Sequence, residues 1–511
     1  MRVAKKNTAM SVSIPAPIGG WNARDALGDM DPTDAVSMLN FWPRTSDVQV
    51  RKGFTRFATG LPSQVNSLIS YNGAASTKLF AGSSSGLYDI TSGGAVGAAS
   101  VSSLTNVKFE YVNVSTAGGN FVLAVNGADK LRGYNGTSWW IDGDGTADIT
   151  GLDTSTCTNI NLHKTRVWLI QANTLAAWYL PVNSIAGSAT SFSFKAIARK
   201  GGYLVAMGTW TVDGGAGIDD YAVFITNKGE VIVYQGTDPS SANTWALVGV
   251  WDLAPPVSRR CFLKYMGDLL LLTQDGLVPL TAALKTSRVD TSRSLTFKIQ
   301  SAITDAVVNY GSSFGWCIKF YPKANMLIIN VPVTEGNLQE QYVMNTITKA
   351  WGRFDGWNAN CFEIHGDELY FGADGFVGRA WNGLVDNTSN INATAKQAFN
   401  YFGSRGRLKR WTMMRPIILT NGSPGLSMTV NVDFDDSGTT SSLVYAATSG
   451  ALWDTAVWDT DVWGGGLTVQ KGWQGVTGVG YCAAPRLQAA SQGIEVYWAS
   501  TDIIFEKGSF L

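Results

Sequence analysis

From about residue 65 to 385 the chain repeats one pattern: a short apolar strand, a tight polar turn holding Gly, and a second short strand that often carries an aromatic. Residues 78–82 then 86–88, and 121–125 with Asn126-Gly127, are the first instances. Residues 167–170 follow, then 222–226 with Asn227-Lys228-Gly229 and 231–234, and 269–273 with Gln274-Asp275-Gly276. The last are 326–330, and 368–372 with Ala373-Asp374-Gly375. Asn-Gly, Lys-Gly and Asp-Gly turns between apolar strands are strong hairpin signals. The first strands centre near residues 80, 123, 168, 224, 271, 328 and 370. That period of roughly 40–55 residues is the size of one four-stranded propeller blade. A string of β-sandwiches would need about 100 residues per unit.

The pattern therefore predicts an all-β chain: a β-propeller of six or seven blades over 65–385, an N-terminal arm over 1–64, and a C-terminal β domain over 386–511. Two breaks carry helix signals. Asp31-Pro32-Thr33-Asp34 followed by 35–41 predicts a short capped helix in the arm. Near 280–310, Ile299, Ile303, Ala306 and Val307 fall at i, i+4, i+7 and i+8, which predicts a helical insertion. Phe434-Asp435-Asp436-Ser437-Gly438 and the Trp-rich run 453–463 suggest the second β domain.

Composition agrees with this picture. Only eight of 39 acidic residues are Glu, and Asp favours turns and caps over helices. Nineteen Trp, 22 Phe and 17 Tyr suit pleated, half-buried surfaces. The 39 acidic residues balance 39 basic ones, so the whole molecule is not a polycation built to grip nucleic acid. Five separated cysteines (157, 261, 317, 361 and 482) without a C-x-x-C suggest neither a disulfide framework nor a zinc knuckle, and a reducing compartment fits. The basic start lacks an apolar h-region, and no apolar run approaches the ~20 residues that span a bilayer. The expectation is a chain without a Sec signal or membrane insertion, folded in a cytoplasm.

Catalytic and cofactor signatures are sparse. Gly82, Ser84 and Gly86 spell G-x-S-x-G, but the flanks are two short strands rather than the strand and helix of a nucleophile elbow. Asp142-Gly143-Asp144-Gly145 with Asp148 is either an acidic turn or a cation site, with Gly at the wrong position for an EF-hand loop. Glu110, Glu230, Glu363 and Glu368 lie beside strands and turns, and none stands out as half of a glycosidase acid pair. His163 and His365 are lone and read as structural. With no Walker A string and no dinucleotide loop, no catalytic residue, cofactor or metal is expected, and the chain reads as a non-enzyme.

One stretch is strongly basic: Arg405, Arg407, Lys409, Arg410 and Arg415 occur without an acid, interleaved with Tyr401, Phe402 and Trp411. A solvated face, a protein-docking face and a nucleic-acid platform are all open readings. Arg405, Arg407, Lys409, Arg410 and Trp411 are the candidate docking or subunit-interface residues.

Pro17-Ile18-Gly19-Gly20-Trp21-Asn22-Ala23-Arg24-Asp25, Leu39-Asn40-Phe41-Trp42-Pro43 and the segment 48–54 with Arg51-Lys52-Gly53-Phe54 resemble the N-terminus of tail hub or nozzle (tail tubular) proteins of short-tailed bacteriophages. The stretch 231–253 and Arg259-Arg260-Cys261 with Gly267-Asp268-Leu269-Leu270 resemble them too, as does Phe402-Gly403-Ser404-Arg405-Gly406 with Lys409-Arg410-Trp411. The resemblance is patchy from about 15 to 435. It implies a virion protein of the tail, assembled in the host cytoplasm as a six-fold ring below the portal and adaptor, with tail fibres or spikes as further partners. It implies a conduit that retains and then releases double-stranded DNA without sequence-specific binding. A net charge near zero suits a conduit, because phosphate contacts repeated around a ring would retain the genome. The alternative is a glycan-binding or glycan-hydrolysing propeller.

Overall fold

The computed structural model describes residues 9–213, 218–283, 291–436, 438, 440–443 and 467–508. The described chain is mostly β and falls into two compact units. The repeat unit comprises Arg56–Gln341 and Trp357–Arg379; the terminal unit comprises Met1–Thr55, Tyr342–Gly356 and Ala380–Leu511.

The repeat unit is propeller-like, a succession of antiparallel meanders. Glu110–Thr116, Gly119–Val125, Arg132–Tyr134 and Trp139–Ile141 form one four-stranded sheet in chain order. Cys157–His163 and Leu204–Asp213 each begin another, and Phe262–Tyr265 begins a three-stranded one. Cys317–Tyr321 pairs with Met326–Thr334, and Cys361–His365 with Glu368–Gly372. The strand Phe54–Asn72 serves two meanders. Its end pairs with Thr77–Ser83, Val65 opposite Ser83, and it also neighbours Asp374–Ala380. Arg56 lies over the Phe376 ring at 4.6 Å and Phe57 packs on Tyr370 at 4.8 Å, which holds first and last meanders together.

Each of the seven apolar runs read from the sequence is the second strand of a meander, from Thr77–Ser83 to Glu368–Gly372. These strands have both faces covered, as Val122, Leu123, Ala124 and Val125 are, which makes them continuous apolar runs. The G-x-S-x-G string is a hairpin turn, with Ser84 at φ 54° between two paired strands. The expected helix spans Gln300–Tyr310, with Ile303, Ala306 and Val307 buried, and Ile299 buried in the 3-10 turn before it.

In the terminal unit, Lys409–Thr420 pairs along its length with Val496–Lys507, and Ala9–Pro15 adds to the far edge of the latter. A second sheet runs through Asp34–Leu39, Ile391–Gln397, Ala483–Ser491 and Gly425–Val432. Here the sequence expectation of a short N-terminal helix is corrected: Asp34–Leu39 is a strand. The Asp31 carboxylate accepts from the Thr33 amide at 2.8 Å and hydroxyl at 2.6 Å, which makes a turn rather than a helix cap. Beyond it, Gly20–Trp21 and Ile391–Gln397 supply strand partners on both sides, and tertiary pairing overrides the local signal. The Trp-rich run 453–463 lies outside the described residues.

A buried polar keystone organises this unit. Arg51, fully enclosed, forms a bidentate pair with Asp386 at 2.6 and 2.8 Å. Its Nε donates to Asn40 Oδ1 at 2.8 Å, and Asn40 sits at φ 56°. A Cβ on the nearby Gly53 would lie 1.8 Å from the Val385 carbonyl, so only Gly fits.

Candidate functional site

The first strands of the meanders border a common cavity of about 400 Å³ in the repeat unit. Leu68, Glu110, Asn159, Met207, Phe262, Lys319 and Glu363 come to it from seven different meanders. Two carboxylates and three cations face it. Glu110 accepts from Arg260 Nε at 2.5 Å and lies 3.6 Å from Arg259 Nε. Lys319 Nζ lies 3.0 Å from Glu363. Burial disfavours the Lys319 ammonium, yet Glu363 beside it holds its pKa above the usual lysine value. Burial lowers the Arg259 pKa, only partly opposed by Glu110. Burial, and then Glu363, push the Tyr111 phenol well above its ordinary range, so it stays protonated.

The thiols on the wall are inert by the same physics: burial pushes Cys361 up to about 12 and raises Cys317, as it raises the buried Cys261 nearby in sequence, so none is a thiolate near neutral pH. Asn161 and Asn113 are anchored to the Met207 and Ser70 carbonyls at 2.7 and 2.9 Å. Charges and amides held by the walls border one cavity, an arrangement that can hold a polar ligand.

In the sequence Glu110 and Glu363 lie beside strands, and neither stands out as half of an acid pair. The structure brings both into one cavity, and with them Arg259, Arg260 and Lys319, which were not candidates. The available signal was polar residues two apart on strands, Asn159 and Asn161, or Cys317 and Lys319, which share a face.

The other sequence candidates have structural partners. Asp142 accepts from the Ile149 amide and the Thr154 hydroxyl, and Asp148 from the Gly143 and Gly145 amides, so the acidic run is a carboxylate-braced turn. Glu230 accepts from the Arg199 and Lys200 amides. Glu368 pairs with Lys323 and Arg379. His365 Nδ1 is 2.9 Å from the Ser70 hydroxyl. His163 is buried edge-on against Trp245, and burial lowers its pKa to about 4.

The basic stretch of the terminal unit splits. Arg405, Arg407 and Arg410 are exposed. Lys409 and Trp411 are corrected as docking candidates, because both are 1% exposed on the inward face of Lys409–Thr420. Lys409 Nζ donates to the Ser404, Arg407 and Tyr481 carbonyls at 2.5, 3.0 and 2.8 Å. Trp411 packs on Phe402. Acids absent from the local sequence arrive from elsewhere: Arg405 pairs with Asp29, and Arg415 with Asp502 at 2.5 Å.

No protein-family model and no curated protein sequence matches the chain. Similar solved structures include an exo-β-1,3-galactanase from Phanerochaete chrysosporium with galactose, at 9% identity and TM-score 0.24, covering 77% of this chain and 95% of that one. They also include a putative 6-phosphogluconolactonase from Bacteroides fragilis, at 12% identity and TM-score 0.35, covering 69% and 92%. The reading of the chain as a non-enzyme is corrected by this finding, since an enzyme, the galactanase, stands among the structures it resembles.

Proposed function

We propose that this chain is a ring-forming subunit of the tail tube of a short-tailed bacteriophage, a conduit through which the genome leaves the virion. One observation carries the reading: the strings that resemble tail hub and nozzle proteins hold buried polar keystones. Asn40 and Arg51 meet in the terminal unit, and Arg260 is paired with Glu110 in the repeat unit. Burial of these residues supports reading the strings as fold-bearing rather than as surface chance. The seven first strands around the cavity support a reading of seven blades. Exposed Arg405, Arg407 and Arg410 are the docking face toward neighbouring tail components.

Electron microscopy of the purified chain, alone and mixed with the other tail components of its source, tests this. A ring of six copies of 54.8 kDa, about 329 kDa in all, with a channel wide enough for duplex DNA is expected. Isolated monomers under both conditions would remove the tube. Neutralising Arg405, Arg407 and Arg410 together is expected to block incorporation into tails with the fold intact.

A second reading is favoured by Glu110 and Glu363 entering one cavity: a glycan-binding site in the repeat unit. It is compatible with a ring role.

A further inference from the structure

The hydrogen-bond inventory of the cavity is uneven, and the imbalance describes a ligand. Arg260 is largely spent: Nε goes to Glu110, and Nη2 to the Phe109 and Asn66 carbonyls at 2.9 and 3.3 Å. Lys319 is not. Its ammonium makes one bond, to Glu363 at 3.0 Å, and an ammonium carries three donors. Arg259, on the cavity wall, donates through Nη2 to the Lys108 carbonyl and lies 3.6 Å from Glu110, and the rest of its fork makes no other hydrogen bond among the described residues. Asn159 spends its carbonyl on the Met207 amide, and its NH₂ adds two further donors. On the acceptor side, Glu363 already takes Lys319, the Ile364 amide and the Tyr111 hydroxyl, and Glu110 takes Arg260. Donors outnumber acceptors, and three cations face two carboxylates.

An excess of one positive charge around the cavity favours a ligand with one negative charge. Simple anions such as acetate would leave most of a 400 Å³ space to water, whereas this volume lies at the small end of ligand pockets, of about 300–1,000 Å³. The remaining carboxylate lone pairs accept hydroxyls, and Val112 and Phe262 offer an apolar wall for a ring's C–H face. Resting on the second reading above, we infer that the cavity binds a single acidic sugar of the hexuronate class, its carboxylate held by Lys319 and Arg259 and its hydroxyls by Glu110, Glu363 and Asn159.

Isothermal titration calorimetry of the full chain with D-galacturonate, D-galactose and acetate at low ionic strength tests this. Galacturonate is expected to bind at least tenfold tighter than either, with an affinity that falls as salt rises. Lys319→Met is expected to lower that affinity at least tenfold, and Lys319→Arg to restore most of it, with near-ultraviolet circular dichroism unchanged. Galactose binding as well as galacturonate would overturn the acidic preference and leave the glycan reading standing. Acetate matching galacturonate would overturn the sugar class. Binding by none of the three would remove both. If Lys319→Met fails to fold, the salt dependence and the three-ligand ranking on the unaltered chain decide alone.

Discussion

The two units use the same chemistry to opposite ends. In the terminal unit, Arg51 and Asp386 meet bidentately, and Asn40 and nearby backbone carbonyls take what the guanidinium has left. In the repeat unit, Arg260 meets Glu110 at 2.5 Å and Lys319 meets Glu363 at 3.0 Å, but both pairs border a cavity. A closed pair spends every donor on the chain and fixes strand placement. A pair beside a cavity keeps part of its capacity for something that enters. Partner count, rather than charge alone, separates a keystone from a site.

The largest effect is expected where that closure is tightest. Asp386→Ala strands a fully enclosed guanidinium and should cost about 3–5 kcal/mol in denaturant unfolding. A loss below about 1 kcal/mol would show that water reaches Arg51 and that the contrast fails.

Acid provides a second handle, independent of both pairs. The folded-state pKa of His163 is depressed to about 4 from 6.5, so the unfolded chain binds more protons between those values. Stability is therefore complete above about pH 6.5 and is lost as pH falls toward 4, by about 3 kcal/mol for this group alone. His163→Phe, which keeps a ring against Trp245, should flatten this segment of the pH–stability curve; an unchanged slope would place the acid sensitivity elsewhere.

Glu110→Gln should cost less than Asp386→Ala, on the order of 1–2 kcal/mol, because water in the cavity can solvate Arg260. A cost equal to that of Asp386→Ala would make the cavity pair a keystone too. At the small end stands Arg405→Ala. Its partner Asp29 is 70% exposed, and no measurable change in melting temperature is expected.

How much of this was readable beforehand depends on where each strand faces. Second strands such as Asp268–Thr273, with Leu269, Leu270, Leu271 and Leu272 all buried, announce themselves as apolar runs. First strands such as Cys157–His163 and Cys361–His365 do not. Their cavity-facing positions are Asn159, Asn161 and Glu363, which dilute the hydrophobic pattern that strand reading relies on. The residues that build the site thus erase its signal. The strand Asp34–Leu39 is hidden for another reason: one partner, Gly20–Trp21, is only two residues long, and another, Ile391–Gln397, lies hundreds of residues away. The basic run near residue 405 is legible only in part, because counting local charges cannot see Asp29 arriving from a turn or Asp502 from another strand, nor that alternate residues of a strand point inward.

The strand Phe54–Asn72 also sets an order of events in synthesis. It emerges early, but its neighbour Asp374–Ala380 follows about 300 residues later. At about 5–20 residues per second on the ribosome, its unpaired edge waits on the order of 15–60 seconds for that partner. Until then the nascent chain exposes an open strand that can recruit the wrong neighbour. Moving the chain ends to a turn between two meanders, so that about 180 rather than about 300 residues separate the two strands, should shorten this interval and raise the yield of correctly folded chain.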